Sequence, residues 1–469
     1  MIIKRSVVSI ASAMALMTLP AMASATTEII IMNADDASEG FNDPTPVNPV
    51  GGNEGRTLGE QRLNVFKYAA KLWGKKLNSD VPIRIKANFN PLECDKDSAT
   101  LGSAGPMEVN SNFPGAPKRN TWYHGALANK LLGSDDFDGK PVIQAQFNSN
   151  LGNDDCLKGS GFYLGLDGKH GQLTDLVSVL LHEFGHGLGF SNLTDGQTGR
   201  QMGGKPSAWD HFLLDTSTNK RWSDMTTTER RASAINPRKL VWMGPNVTRE
   251  APKVLSRGVP ELRVTTPSRL SGSYFAGTAE FGPKLTASGF SGTAVSFSDQ
   301  ANGKALACKP ISSGNAALLL GKIALIDRGG CNLVEKVKNA QVAGAIGVIV
   351  VDNAPGSPPP GMTGSDSTIT IPSIRVTQQD GEKFKLAAQS NTGLLVTFGL
   401  KDQQLAGADS LGRVQMYTPN PYVPGSSVSH FDTIASPNLL MEPHNTDDVK
   451  RSVDSPQDLT YPLLKDIGW

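Results

Sequence analysis

Apolar residues recur at steps of three and four through Leu63, Phe66, Ala70, Trp73 and Leu77, just after the pair Thr57 and Glu60, which stand at capping-box spacing. This predicts an amphipathic helix reaching about Leu77. The pattern then changes period. Val81, Ile83, Ile85, Ala87 and Phe89 alternate with Pro82, Arg84, Lys86 and Asn88, as in a strand with one buried face. A second strand is expected over Val142–Phe147, and a short one over Glu28–Met32 before a Gly, Pro, Asn and Asp-rich loop to Arg56. A further helix is expected from near Leu173. Thr174 and Asp175 stand at its start, where an oxygen can accept from free backbone amides. Leu176, Val177, Leu180, Leu181, Phe184 and Leu188 then leave almost no polar face, which marks a deeply buried helix.

From about Ala251 to Lys401 the texture shifts to Gly, Ser, Thr and short apolar runs. Within it, GKIALIDRGG reads as strand and turn, NLVEKVKNAQVAGA as helix and IGVIVVDN as buried strand, together a βαβ unit, before the loop GSPPPG. The chain closes on LTYPLLKDIGW, spaced for a short helix. The expected division is a leader at 1–25, a first part of one domain at 26–250, an insert at 251–401 and the second part of the first domain at 402–469.

Composition narrows the class. At 469 residues the chain is long enough for more than one core, and 45 basic against 44 acidic residues give no field that would draw nucleic acid or an anionic membrane. Lys4 and Arg5, the apolar run Val7–Leu19, and Ala23 and Ala25 read as a secretory signal cut after Ala25. The run is shorter than the roughly 20 residues that span a bilayer, and no later segment is continuously apolar for that length, so no membrane span is expected after its removal. An extracellular or periplasmic address follows, and there four cysteines suggest two disulfides. Three pairings are possible; Cys94–Cys156 and Cys308–Cys331 suit the division into units.

The buried helix carries the chemistry. In HEFGH, His182 and His186 are four residues apart, on one face and about one turn from each other, able to grip one ion. Neutral imidazole suits zinc, and Glu183 beside that face can act as general base on a water that the ion acidifies. Peptide hydrolysis is the natural reaction. A catalytic zinc site usually takes three protein ligands, so a third is required. The motif runs on as HEFGHGLGFSN, with Gly189 where metzincin proteases turn the chain, but their usual third-histidine position holds Asn192. Asp195 is a candidate shortly after it, Asp210 and His211 less so, and His430 in SHFDTIASPNLLMEP lies far downstream.

Four pieces in this order, HEFGHGLG, SHFD, NLLM and LTYPLLKDIGW, resemble the leishmanolysin-type metzincins, in which an insertion separates the helix from the third histidine. The resemblance implies an α+β metzincin-type catalytic domain. It implies one zinc ion held by His182, His186 and His430, Glu183 as catalyst, and Met441 in a turn beneath the metal that Pro443 helps to close. Tyr461 is a candidate for oxyanion assistance. The insert, from ALACKP through IPSIRVTQQDGEKF, resembles a protease-associated (PA) domain, which implies the Cys308–Cys331 disulfide, a turn at Arg328–Gly330 and contacts with protein partners but no chemistry of its own. The expectation is therefore a secreted zinc endopeptidase acting on proteins or peptides. The alternatives are a zinc exopeptidase, since PA domains also accompany two-zinc aminopeptidases, and an inactive protease fold used as a binding or adhesive module.

Overall fold

The computed structural model describes residues 26–96, 98–390, 392–444 and 449–469. The expected leader lies outside them. Among the described residues, no helix is long and apolar enough to cross a membrane.

The first unit is a four-stranded sheet with helices packed on it. Its strands are β1 (Ile29–Asn33), β2 (Ile83–Asn90), β3 (Gly102–Pro106) and β4 (Ile143–Asn148), in the order β1-β2-β4-β3. β1, β2 and β4 run parallel, while β3 is an antiparallel edge. The alternation read in β2 is real: Ile83, Ile85, Ala87 and Phe89 are buried, and the residues between them are more exposed.

Helix α1 (Leu58–Gly74) starts with Thr57 and Glu60 satisfying each other's backbone amides. It ends short of Leu77, at Gly74, whose carbonyl accepts from the Thr27 amide at 3.0 Å and where a Cβ would stand 2.4 Å from the Thr27 carbonyl oxygen. Leu77 is nonetheless buried beyond the helix end. Phe66 on α1 meets Phe41, Phe147 and Phe184 with ring centroids 4.7 to 6.1 Å apart, an edge-to-face cluster that fastens α1 and the site helix to the sheet.

Helix α2 (Leu176–Leu188) begins three residues later than the pattern suggested, with Asp175 as its cap. After helix α3 (Pro245–Val254) the chain leaves this unit. Val247, Ala251, Val254 and Leu255 still belong to the first core, and the second sheet begins at Arg257.

The second sheet has eight strands: β5 (Arg257–Thr266), β6 (Gly272–Phe275), β7 (Gly277–Thr278), β8 (Phe290–Ser296), β9 (Ile323–Asp327), β10 (Gly347–Val351), β11 (Ser373–Val376) and β12 (Leu394–Leu405). Their order is β6-β5-β12-β8-β9-β10-β11-β7. β8 to β11 are parallel. Helices α4 (Leu333–Val342) and α5 (Gln378–Ala388) cover opposite faces, each with its own apolar core, as parallel strands require. β9–α4–β10 is the βαβ unit expected from the sequence.

β5 and β12 pair antiparallel down to Arg257 opposite Leu405, and the Ala406 amide donates to the Ser256 carbonyl at 2.8 Å. The chain therefore re-enters the first unit where it left. Helix α6 (Thr460–Ile467) completes that unit, with Asp466 accepting from the Asn246 and Val247 amides at the start of α3. Both local disulfides are formed, Cys94–Cys156 and Cys308–Cys331.

Candidate metal centre

Helix α2 is held at both ends by side chains from far along the chain. At its start the Asp175 carboxylate accepts from the Ser178 amide and is clasped by Arg451. At its end Gly189 has φ +122°, a conformation that a side chain would strain, and a Cβ there would stand 2.9 Å from Ile467. The Trp469 indole donates to the Leu188 carbonyl at 2.7 Å.

His182 and His186 project from one face of α2, and His430 arrives from the segment after the second sheet. The three Nε2 atoms lie 3.1, 3.2 and 3.2 Å from one another. Each Nδ1 faces a backbone carbonyl: Leu440 at 2.7 Å for His182, Phe190 at 2.7 Å for His186 and Ser426 at 2.9 Å for His430. A carbonyl only accepts, so Nδ1 carries the proton and Nε2 a lone pair. Three lone pairs then converge with no proton to share, which suits an electron-pair acceptor. Nitrogens held about 2.0–2.1 Å from a tetrahedral zinc are themselves about 3.3 Å apart, close to these edges. Among the described residues this is the one cluster of three or more His, Cys, Asp or Glu able to hold an ion.

Burial keeps the imidazoles neutral. Desolvation pulls His182 down to about 4 and His186 to about 3, and holds His430 well below its ordinary value. Desolvation also pushes Glu183 up to about 8, opposed by a hydrogen bond from the Ala104 amide of edge strand β3. A dication nearby lowers a carboxyl raised in this way.

Met441 is fully buried, and its Sδ would stand 3.0 Å from a Cβ at Gly185. It thus packs against α2 between the two histidines. Two carboxylates hold its turn: Glu442 Oε1 accepts from the Leu439 amide and Asp458 Oδ2 from the Leu440 amide, both at 2.7 Å. The turn orients two of the imidazoles, through the Leu440 carbonyl on His182 and the Met441 carbonyl on the Phe431 amide, 2.9 Å away and next to His430. Neither carboxylate was foreseen. A carboxylate directly after Met441 was the signal available for Glu442, and none pointed to Asp458.

The other candidates lie elsewhere. Asp195 is exposed and caps its own turn, accepting from the Gln197 and Thr198 amides. Asp210 is buried under Thr194 and Ser207, and His211 meets the Thr121 hydroxyl. Asn192 ties its own turn through Thr194 and gives its amide to Ser429, beside His430. The Tyr461 ring packs under the Lys465 ammonium.

The PA domain family model matches residues 290–384, so the chain contains a PA domain within its second sheet. Similar curated proteins include the minor extracellular protease Vpr of Bacillus subtilis, 32% identical over 24% of this chain and 14% of that protein. The aminopeptidase YwaD of the same organism is 32% identical over 23% of this chain and 26% of its own length. ER degradation-enhancing alpha-mannosidase-like protein 3 of Homo sapiens is 43% identical over 18% of this chain and 8% of its own length. The chain thus spans about a quarter or less of these relatives. Among solved structures, a zinc aminopeptidase from Bacillus subtilis aligns over 33% of this chain and 36% of its own, at 22% identity and a TM-score of 0.24. The subtilisin-like protease Apa1 from Pseudoalteromonas sp. AS-11 aligns over 32% and 34%, at 18% identity and a TM-score of 0.23.

Proposed function

We propose that this chain is an exported zinc metallopeptidase of metzincin build that cleaves within protein chains, with His182, His186 and His430 holding one ion and Glu183 as general base. The observation that carries the reading is the triangle of unprotonated Nε2 atoms with a buried carboxylate one residue from the first of them. When bound, zinc would acidify a water and polarise the scissile carbonyl. Glu183 takes the proton of the attacking water on its carboxylate and returns it to the leaving amide nitrogen, so that one water is consumed per bond cut. Edge strand β3, whose Ala104 amide reaches Glu183, can take an extended peptide by strand addition, which brings a backbone rather than a chain end to the carboxylate. Two disulfides and the expected leader support export.

The second reading is an exopeptidase, favoured by the aminopeptidases among the similar proteins. Their likeness covers a minor part of this chain, and two-zinc chemistry would call for further ligands beside the three histidines. Cleavage of casein and of an N-terminally blocked peptide decides between them. An endopeptidase cuts both, whereas release of product only from substrates with a free α-amine establishes the exopeptidase. Zinc content per chain tests the ligand set: His430→Ala should lose the ion and Asp195→Ala keep it.

A further inference from the structure

The segment that delivers His430 is one strand of a short ladder. Strand Leu240–Trp242 pairs with residues 414–416 through Trp242 to Val414 and Met416 to Leu240, at 2.8 and 2.9 Å. Residues 415–417 pair in turn with 430–432 through Tyr417 to His430 and Asp432 to Gln415, at 2.9 and 3.0 Å. A clasp spans this ladder. Arg238, just before the first strand, has its Nε 3.6 Å from Asp432 Oδ1, two residues beyond His430, while its carbonyl accepts from the Gln415 side chain.

The same guanidinium lies 4.4 Å from the centre of the Phe275 ring on β6, so the clasp reaches from the third histidine's strand into the second sheet. It lines a cleft of about 330 Å³ between the two units, together with Glu261, Lys401 and Arg413. On the other flank of residues 414–417, Asn420 and Ser357 of the GSPPPG loop exchange two backbone hydrogen bonds of 2.8 Å. The ladder that carries His430 thus meets the inserted unit at two points, Arg238 on Phe275 and Asn420 on Ser357.

The clasp is an expensive way to fill space. Both partners are almost fully buried, Arg238 Nε and Asp432 Oδ2 lack hydrogen-bond partners, and Arg238 sits at φ +60°, where non-glycine residues are rare. A buried ion pair contributes less to stability than well-packed apolar residues would, and its best-attested use is to hold one register among several.

We propose that Arg238 is a positioning residue for His430, clamping Asp432 against Phe275 so that docking of the second sheet sets how tightly the site holds zinc. The inference rests on the reading of His430 as a ligand. Its test is the zinc dissociation constant of the full-length chain, measured by competition with a chromogenic chelator, alongside circular dichroism and melting of the zinc-free protein. Arg238→Met should weaken zinc about tenfold, the lower end of what supporting partners of a metal site contribute. Phe275→Ala, which keeps the ion pair, should weaken it severalfold. Arg238→Lys, which keeps the charge without the planar fork, should fall between wild type and Arg238→Met. As a control, Phe384→Leu in the second core should lower the melting temperature and leave zinc affinity unchanged. Should Arg238→Met fail to fold, Phe275→Ala and Arg238→Lys carry the decision. Zinc affinities within twofold of wild type in the folded variants overturn the proposal. Retention of zinc by His430→Ala would instead overturn the ligand assignment on which it rests.

Discussion

In the second sheet, β9 and β10 bury every one of their residues, and all but Asp327 at the end of β9 are apolar or glycine. Helix α2 of the first unit is buried to a similar degree, yet it carries two imidazoles and a carboxylate in its last two turns. The strands owe their place to removal of apolar surface from water, which needs no particular partner. The helix must find a partner for every polar atom it buries. It does so with carbonyls from Phe190 and Leu440 and an amide from Ala104, and the atoms left over are the two Nε2 lone pairs, which converge with that of His430. Burial without partners marks a core, whereas burial with partners for all but one converging set of atoms marks a site.

Glu183→Gln should separate the two units most sharply. It removes the base and keeps the shape, so proteolysis should fall by about 10²–10⁴-fold with zinc content unchanged. Full activity in this variant would remove Glu183 from the mechanism. Ile349→Ala, in the core between β10 and α5, should cost about 2–5 kcal/mol in urea unfolding and leave activity per folded molecule intact. Loss of activity in its folded fraction would mean that the second core feeds the site directly.

Gly185→Ala crosses from packing to chemistry. Its Cβ would press on the Met441 sulfur, and the displaced turn should cost about 1–3 kcal/mol and weaken zinc binding. An unchanged zinc affinity would show that the turn does not orient His182.

The fully buried His124 is held down to about 4 by desolvation, against about 6.5 in the unfolded chain. As pH falls below about 6.5 the unfolded state takes up the proton first, so this residue's contribution is complete above that pH and is lost progressively toward about 4. Glu183 and Asp458, pushed up to about 8 and about 6 by burial, act in the opposite sense. The readout is therefore a difference: between pH 6.5 and 4 the melting temperature of the wild type should fall more steeply than that of His124→Gln. Parallel curves would contradict the assignment. The smallest effect is expected from Asp195→Ala, an exposed turn cap, with stability within about 0.5 kcal/mol of wild type.

What could be read along the chain was whatever has a period or a short fixed spacing. The Thr57–Glu60 box, the alternation of β2 and the HEFGH turn are set by residues within a few positions of one another, where backbone geometry alone brings side chains together, and the βαβ unit is a succession of such local patterns. His430 was reachable through the order of four motifs, since no periodicity connects it to His186. Asp458, Glu442 and Arg238 carried no comparable signal. Their partners are backbone amides, and a carboxylate brought within reach by folding alone, as with Arg238 and Asp432 nearly two hundred positions apart.

The sequence by itself determined a buried helix with two imidazoles on one face, a carboxylate beside them and an α/β insert downstream. The tertiary structure decided which far residue joins them, which nitrogen of each ring carries the proton, and what holds the third strand in place. These depend on desolvation and on carbonyls supplied from elsewhere in the fold, and neither exists until the chain has closed on itself.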